Sequence, residues 1–288
     1  MSMAECSAAC DDRKEDKEME AKTMRKHIAI ILAIFAAIFF LGSCGSSETE
    51  PAEKVYIEES EIDAALSDGD AYKGKYIDIV GKVFSIDKDD NTVAMQAWYD
   101  VEDAEQQFIV YADKEIAGSV KEDDFIRVDG KITGTFTGEN YFGGEITALM
   151  IEAESLEVGG YDDIYAPAES TREIGETKDQ HGVSVTLDRI EYAKGEARVY
   201  VTVKNDSGAT ASIYTFNAKA IQDGKQFDHE DNYEAGYDSD IGDVLDGASK
   251  DGVIRFKGLD PDSGFKLQIE AYSDDWDITL EDYVFEIE

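Results

Sequence analysis

Cysteine is nearly absent from this chain: there are three in 288 residues, Cys6, Cys10 and Cys44. No disulfide can form beyond Cys44, so any domain that follows must rest on its apolar core. Histidine is equally scarce, and His181 and His229 stand isolated. The sequence holds no Ser-His-Asp order around a nucleophile turn, no phosphate-cradling glycine loop, no HExxH and no CxxC. No catalytic residue is therefore assigned, and no enzyme is expected. Positive charge is also short: 27 Lys and Arg stand against 65 Asp and Glu, a net charge of -38. The deficit is even, with 9 basic and 25 acidic residues over 54–158 and 12 and 27 over 171–288. Neither half has a basic patch, so no nucleic-acid partner is expected, since binding phosphates needs one. A long apolar run is missing too. The longest covers residues 28–41, short of the roughly 20 residues that cross a bilayer as a helix.

That short run has informative flanks. Met24-Arg25-Lys26-His27 precede it, and Leu41-Gly42-Ser43-Cys44 close it. A basic n-region, a short apolar h-region and small residues before a cysteine resemble a bacterial lipoprotein export signal with its lipobox. The resemblance implies a signal-peptide helix over 24–43, cleavage before Cys44 and acylation (palmitate) of its thiol. The chain is then expected at the cell membrane, lipid-anchored on the extracytoplasmic face. Residues 1–23 are acidic and unlike an n-region, which points to translation starting at Met24. Cys6 and Cys10 make at most half of a zinc site.

Composition divides the remainder. Residues 44–57 read as a lipidated tether, with Gly45, Ser46, Ser47, Glu48 and Pro51 in its polar stretch. Residues 58–158 form a first β-rich block and 171–288 a second. Gly159, Gly160 and Pro167 mark 159–170 as a linker. In the first block Ser60 reads as the N-cap of a short helix bearing Ile62, Ala65 and Leu66. Strands are predicted over 76–84, 92–98, 107–111, 125–132 and 145–158, with Gly81 as a bulge. In the second block alternation predicts strands over 181–187, 197–205, 215–222, 252–257, 265–272 and 283–287.

Both blocks resemble known families. Tyr72-Lys73-Gly74-Lys75-Tyr76, Gly81-Lys82-Val83 and Val128-Asp129-Gly130-Lys131 resemble the anticodon-binding-like OB-fold family of bacterial lipoproteins. That implies a five-stranded Greek-key barrel. Gly182-Val183-Ser184-Val185-Thr186, Val199-Tyr200-Val201-Thr202-Val203-Lys204-Asn205 and Gly252-Val253-Ile254-Arg255-Phe256 resemble an immunoglobulin-like domain common in Gram-positive lipoproteins. Asp246-Gly247 stands where that family has Pro-Gly. The expected fold class is all-β: an OB-like barrel, then an immunoglobulin-like sandwich.

Aromatics on the barrel (Trp98, Tyr99, Phe108, Tyr111 and Phe136) read as core and strand-face residues, while Tyr141 and Phe142 are expected at an exposed hairpin. Asp87, Asp89 and Asn91 imitate the start of an EF-hand loop, but Thr92 and Trp98 stand where Gly and Glu belong. A hairpin turn explains them. A second acidic loop, with Asp228, Glu230 and Asp231 and with Asp238, Asp240 and Asp243, is the remaining candidate for Ca²⁺. No other cofactor is expected. The sum is a tethered module that binds an unidentified protein or cell-envelope partner. The competing readings are a Ca²⁺-dependent adhesion or sensing module and an enzyme without a familiar motif.

Overall fold

The computed structural model describes residues 53–139 and 145–288. The signal-peptide helix, Cys6, Cys10, Cys44, Tyr141 and Phe142 lie outside the described residues. The protein is all-β, and its contacts divide it into two units after Gly159.

The first unit is a closed barrel of β1 (Tyr76–Lys88), β2 (Thr92–Asp100), β3 (Glu105–Asp113), β4 (Phe125–Glu139) and β5 (Glu145–Gly159). Around the barrel the order is β1-β2-β3-β5-β4, antiparallel except for the β3–β5 pair. Alternation explains the interior. Ile77, Ile79 and Val83 of β1 face inward with Val93, Met95 and Ala97 of β2 and Phe108 and Val110 of β3. A short helix, α1 (Ile62–Ser67), adds Ile62, Ala65 and Leu66 to the same core. Its start differs from the sequence expectation. A 3₁₀ turn over Glu59–Glu61 precedes it, and the Glu61 carboxylate accepts the Glu58 N–H at 2.9 Å, so Ser60 is not the cap. A four-residue helix, α2 (Lys114–Ala117), connects β3 toward β4. The turn at Asp89 is a side-chain turn: Asp89 Oδ1 accepts the N–H groups of Asn91 and Thr92 at 2.8 and 2.7 Å.

Closure needs sharply bent strands, and bulges supply the bend. The bulge in β1 falls at Phe84, between Val83 and Ser85, rather than at Gly81. Gly81 has another function. It pairs regularly with Ile126, and a Cβ there would stand 2.6 Å from both the Phe108 ring and the Trp98 carbonyl oxygen. Outside the barrel wall a second cluster buries Ala94, Ile109, Tyr111 and Ala148, with Phe136 and Met150 packed on it. Trp98 stacks on Phe84 with ring centroids 4.2 Å apart.

The second unit is a sandwich. One sheet runs β12-β8-β7-β6, made of β6 (Ala168–Gln180), β7 (Val183–Ala193), β8 (Glu196–Asn205) and β12 (Ser249–Lys257). The other runs β10-β9-β13-β14, made of β9 (Ala211–Gln222), β10 (Lys225–Asp228), β13 (Phe265–Ser273) and β14 (Tyr283–Ile287). A short β11 (Gly242–Val244) also pairs with β9. Val199, Val201, Ile254 and Phe256 meet Leu267, Ile269 and Phe285 in the core. The Tyr283 hydroxyl donates to the Val183 carbonyl at 2.7 Å and joins the sheets.

The stretch 159–170 is not an open linker. Tyr161–Tyr165 form a helical turn that buries Tyr161 and Ile164, and β6 already begins at Ala168. Glycine and proline marked a chain reversal there, but the apolar residues between them pack.

Gly81→Ala is expected to destabilise the barrel by about 1–3 kcal/mol, the usual cost of overpacking a filled core. Chemical denaturation of variant and parent measures this.

Candidate functional site

β8 carries apolar residues at 199, 201 and 203 on its inward row, and the next inward position is Asn205, fully buried. A buried amide must find partners or lose about 1–3 kcal/mol per unmet group. Asn205 finds all of them in two loops. Its Nδ2 donates to the carbonyls of Ala209 and Val244, both at 2.7 Å, and its Oδ1 accepts the Ser207 N–H at 3.0 Å. Its backbone N–H donates to Ala248, and its carbonyl accepts Gly247 N–H at 2.6 Å. The β8–β9 loop and the β11–β12 loop are thereby fixed side by side.

The β13–β14 loop joins them. Thr210 and Asp274 exchange backbone and side-chain bonds: Asp274 N–H to Thr210 O at 3.0 Å, and Thr210 N–H to Asp274 Oδ1 at 2.9 Å. Gly208 N–H donates to Asp246 Oδ1 at 2.8 Å. Gly208 and Gly247 have φ of +86° and +76°, which disfavours a side chain at either position. Farther along, Ile278 and Leu280 pack against the sandwich core, while Asp275 Oδ1 accepts the Asp277 N–H at 2.9 Å. The anchors turn inward and the tip residue, Trp276, turns out: it is 98% exposed. Asp246, Asp274, Asp275 and Trp276 border an open depression beside Gly208 and Thr210. Leu245, 65% exposed, stands on the neighbouring loop. Residues 206–210, 245–248 and 274–282 contain no Lys or Arg. The arrangement is an exposed indole in a field of carboxylates, suited to a partner that offers an apolar pocket and positive charge.

A second polar assembly lies on the outer row of β7, β8 and β12. Arg198 and Arg255 are buried there with Glu196. Arg198 Nη1 donates to Asp162 Oδ1 at 2.7 Å and to the Tyr237 hydroxyl at 3.0 Å, and its Nη2 lies 3.4 Å from Glu191. Arg255 Nε donates to Glu196. Tyr237 donates to Asp162 at 2.6 Å. The network ties the turn at 161–165 and the 229–240 loop onto the sheet. Burial works against the charge of Arg198, but Tyr237 and Asp162 more than offset it and raise the guanidinium above its usual range. Burial likewise opposes ionisation of Glu191, yet hydrogen bonds from Arg189 and Tyr200, with the charge of Arg198, hold its carboxyl below the ordinary range.

His229 is part of this scaffold. Its Nε2 meets Asp231 at 3.0 Å and its Nδ1 faces Arg255 backbone. Ser239 donates to Asp231, not to the imidazole, so the trio lacks the nucleophile-to-base contact of a hydrolase triad.

The proposed Ca²⁺ residues do not converge. Asp243 Oδ1 accepts the Ser212 hydroxyl at 2.6 Å, Asp238 uses its backbone carbonyl for Val253, and Asp240 lies against Gly242. Among the described residues no group of three His, Cys, Asp or Glu stands close enough to hold a metal ion. The sequence reading passed over Trp276. Its signal was present: a tryptophan among Asp274, Asp275 and Asp277, between two strands, has acidic neighbours that keep it in water.

No protein family matches the chain, and no curated protein matches it. Two solved structures are similar. The yjhA protein from Bacillus subtilis is 15% identical, with 41% of this chain and 99% of that one covered and a TM-score of 0.34. A functionally unknown protein from Listeria monocytogenes EGD-e is 13% identical, with 42% and 86% covered and a TM-score of 0.33.

Asn205→Ala removes the partners of Ala209 O, Val244 O and Ser207 N–H. Denaturant titration is expected to show a loss of at least about 2 kcal/mol. Acid should act through Glu191 and through Asp231, which Ser239 and His229 hold below the usual carboxylate range. Depressed folded-state values add stability that is fully present above the unfolded values of about 4 and lost as pH falls through the lower folded ones. The melting temperature should therefore be nearly flat above about pH 5 and fall below about pH 4. Glu191→Gln should flatten that acid limb.

Proposed function

We propose that the chain is a lipid-anchored extracytoplasmic binding module that presents the loop end of its sandwich to a partner at the cell envelope. The observation that carries the reading is Trp276, held out in water by a loop whose other apolar residues, Ile278 and Leu280, are packed away. Tryptophan is enriched among the few residues that dominate binding energy. Pre-fixed loops lose little further freedom on association.

The lipobox supplies the location. Acylated Cys44 holds the protein at the membrane, and the chain joins the barrel at Val55, whose carbonyl accepts the Tyr76 N–H. The segment between them reaches at most about 40 Å, so the barrel works within that distance of the bilayer. The net charge of -38 repels anionic lipid and keeps the module extended from it. The barrel wall, where related barrels bind single strands, is occupied by Ala94, Ile109 and Tyr111 beneath Phe136 and Met150.

Cys44→Ser should abolish labelling by an alkyne fatty acid and release the protein from the membrane fraction. A photocrosslinker at position 275 in cells should give a discrete adduct, reduced about tenfold by Trp276→Ala, a loss typical of a hot-spot tryptophan. Acyl label that persists without Cys44, or an adduct indifferent to Trp276, contradicts the reading.

A further inference from the structure

The outer face of the β10-β9-β13-β14 sheet carries three aromatic rings that the core does not use. Tyr214 lies 5.4 Å from Phe216 and 5.5 Å from Tyr272, centroid to centroid, at interplanar angles of 60° and 54°. Phe216 is 49% and Tyr272 52% exposed. A carboxylate is built into the same patch. Glu270, opposite Tyr214 across the β9–β13 ladder, accepts the Tyr272 hydroxyl at 2.6 Å on one oxygen and the Asn217 amide at 2.8 Å on the other. Both donors are neutral, so the carboxylate is fixed in position and keeps its charge. Lys219, the nearby cation, is 2.8 Å from Asp228 and committed to it.

This composition limits what can cover the face. An apolar partner would bury a carboxylate whose hydrogen-bond donors are both neutral and whose nearby cation, Lys219, is paired with Asp228, which is costly. A second copy of the chain brings another net charge of -38. The chain's own tether offers Glu48 and Glu50 and no basic or aromatic residue among positions 45–52. A cation satisfies both features at once, resting on the ring faces while meeting the carboxylate. A guanidinium does so better than an ammonium, because it is planar, stacks on aromatic faces and pairs with a carboxylate through two N–H groups. We propose that Tyr214, Phe216, Tyr272 and Glu270 form a docking surface for an arginine-bearing polypeptide segment. It is a site on the sheet face that shares no residue with the depression beside Trp276.

The test titrates the full-length chain, reconstituted in phosphatidylcholine vesicles, with labelled hexa-arginine, hexa-lysine, a neutral Gly-Ser peptide and cellohexaose. Hexa-arginine should bind more tightly than hexa-lysine, and the neutral probes should not bind. The doubly substituted Phe216→Ala/Tyr272→Ala chain, with its charge unchanged, should bind hexa-arginine at least tenfold more weakly, and Glu270→Gln several-fold more weakly. Tyr233→Ala, at an exposed ring elsewhere, should change nothing, and melting curves should confirm that all variants remain folded. Equal hexa-arginine affinity in parent and double variant would mean diffuse attraction to an acidic protein and would overturn the proposal. So would absence of hexa-arginine binding, or cellohexaose binding lost in the double variant, which would make the face a carbohydrate platform.

Discussion

Asn205 occupies a position that strand alternation reserves for an apolar side chain. It is the last inward residue of β8, after Val199, Val201 and Val203, and it is buried completely. An amide there is tolerable only if every donor and acceptor is met, and the partners it uses belong to two loops distant in sequence. Each unmet group costs about 1–3 kcal/mol, against a total domain stability of only about 5–15 kcal/mol. Separating these loops therefore comes close to unfolding the end of the sandwich. The same bonds that close the core define the surface, because the β13–β14 loop docks on Thr210 through Asp274 and leaves Trp276 at its tip.

Charge is distributed with a similar economy. Two of the four arginines in the second unit, Arg198 and Arg255, are buried on the outer row of a sheet. They neutralise Glu196, Glu191 and Asp162 and fasten the segments that cover them. Breaking such a pair is far more damaging than its net contribution suggests, since the remaining charge stays buried. Using cations inside leaves the exterior more acidic. On the proposed reading, that acidity favours positive partners at both the Trp276 end and the Tyr214–Phe216–Tyr272 face.

Much of this fold was legible. Period-two alternation located β8, β13 and β14 closely, and the first half of β7, because each buries one face against an apolar core. Strand signals also placed five strands in the first unit and suggested that they close into a barrel, while which strands pair is set by tertiary contacts. What was missed has physical reasons. β6 is an edge strand whose inward positions are only half-buried and, apart from Ile174, polar, so its sequence shows no apolar alternation. The helical turn at 161–165 sits among glycines and acids that signal a linker, and its packing rests on tertiary partners, Arg198 for Asp162 and Glu196 and Tyr237 for Tyr161. Arg198 is a buried cation on the outer row of β8, and sequence does not reveal what lies above a sheet. Asn205 was visible as the end of a strand motif, but its partners at Ala209 and Val244 are set by tertiary structure. Asp238, Asp240 and Asp243 clustered in sequence, yet the backbone spreads them over different contacts.

The central claim is that a buried amide by itself holds the loops at this end of the sandwich in place. Native-state hydrogen exchange at the Ser207 and Gly247 amides, both donors to Asn205, addresses it most directly. Protection comparable to that of Val201 and Val203 in β8 is the predicted result. Exchange at the rates of an unstructured peptide would contradict it.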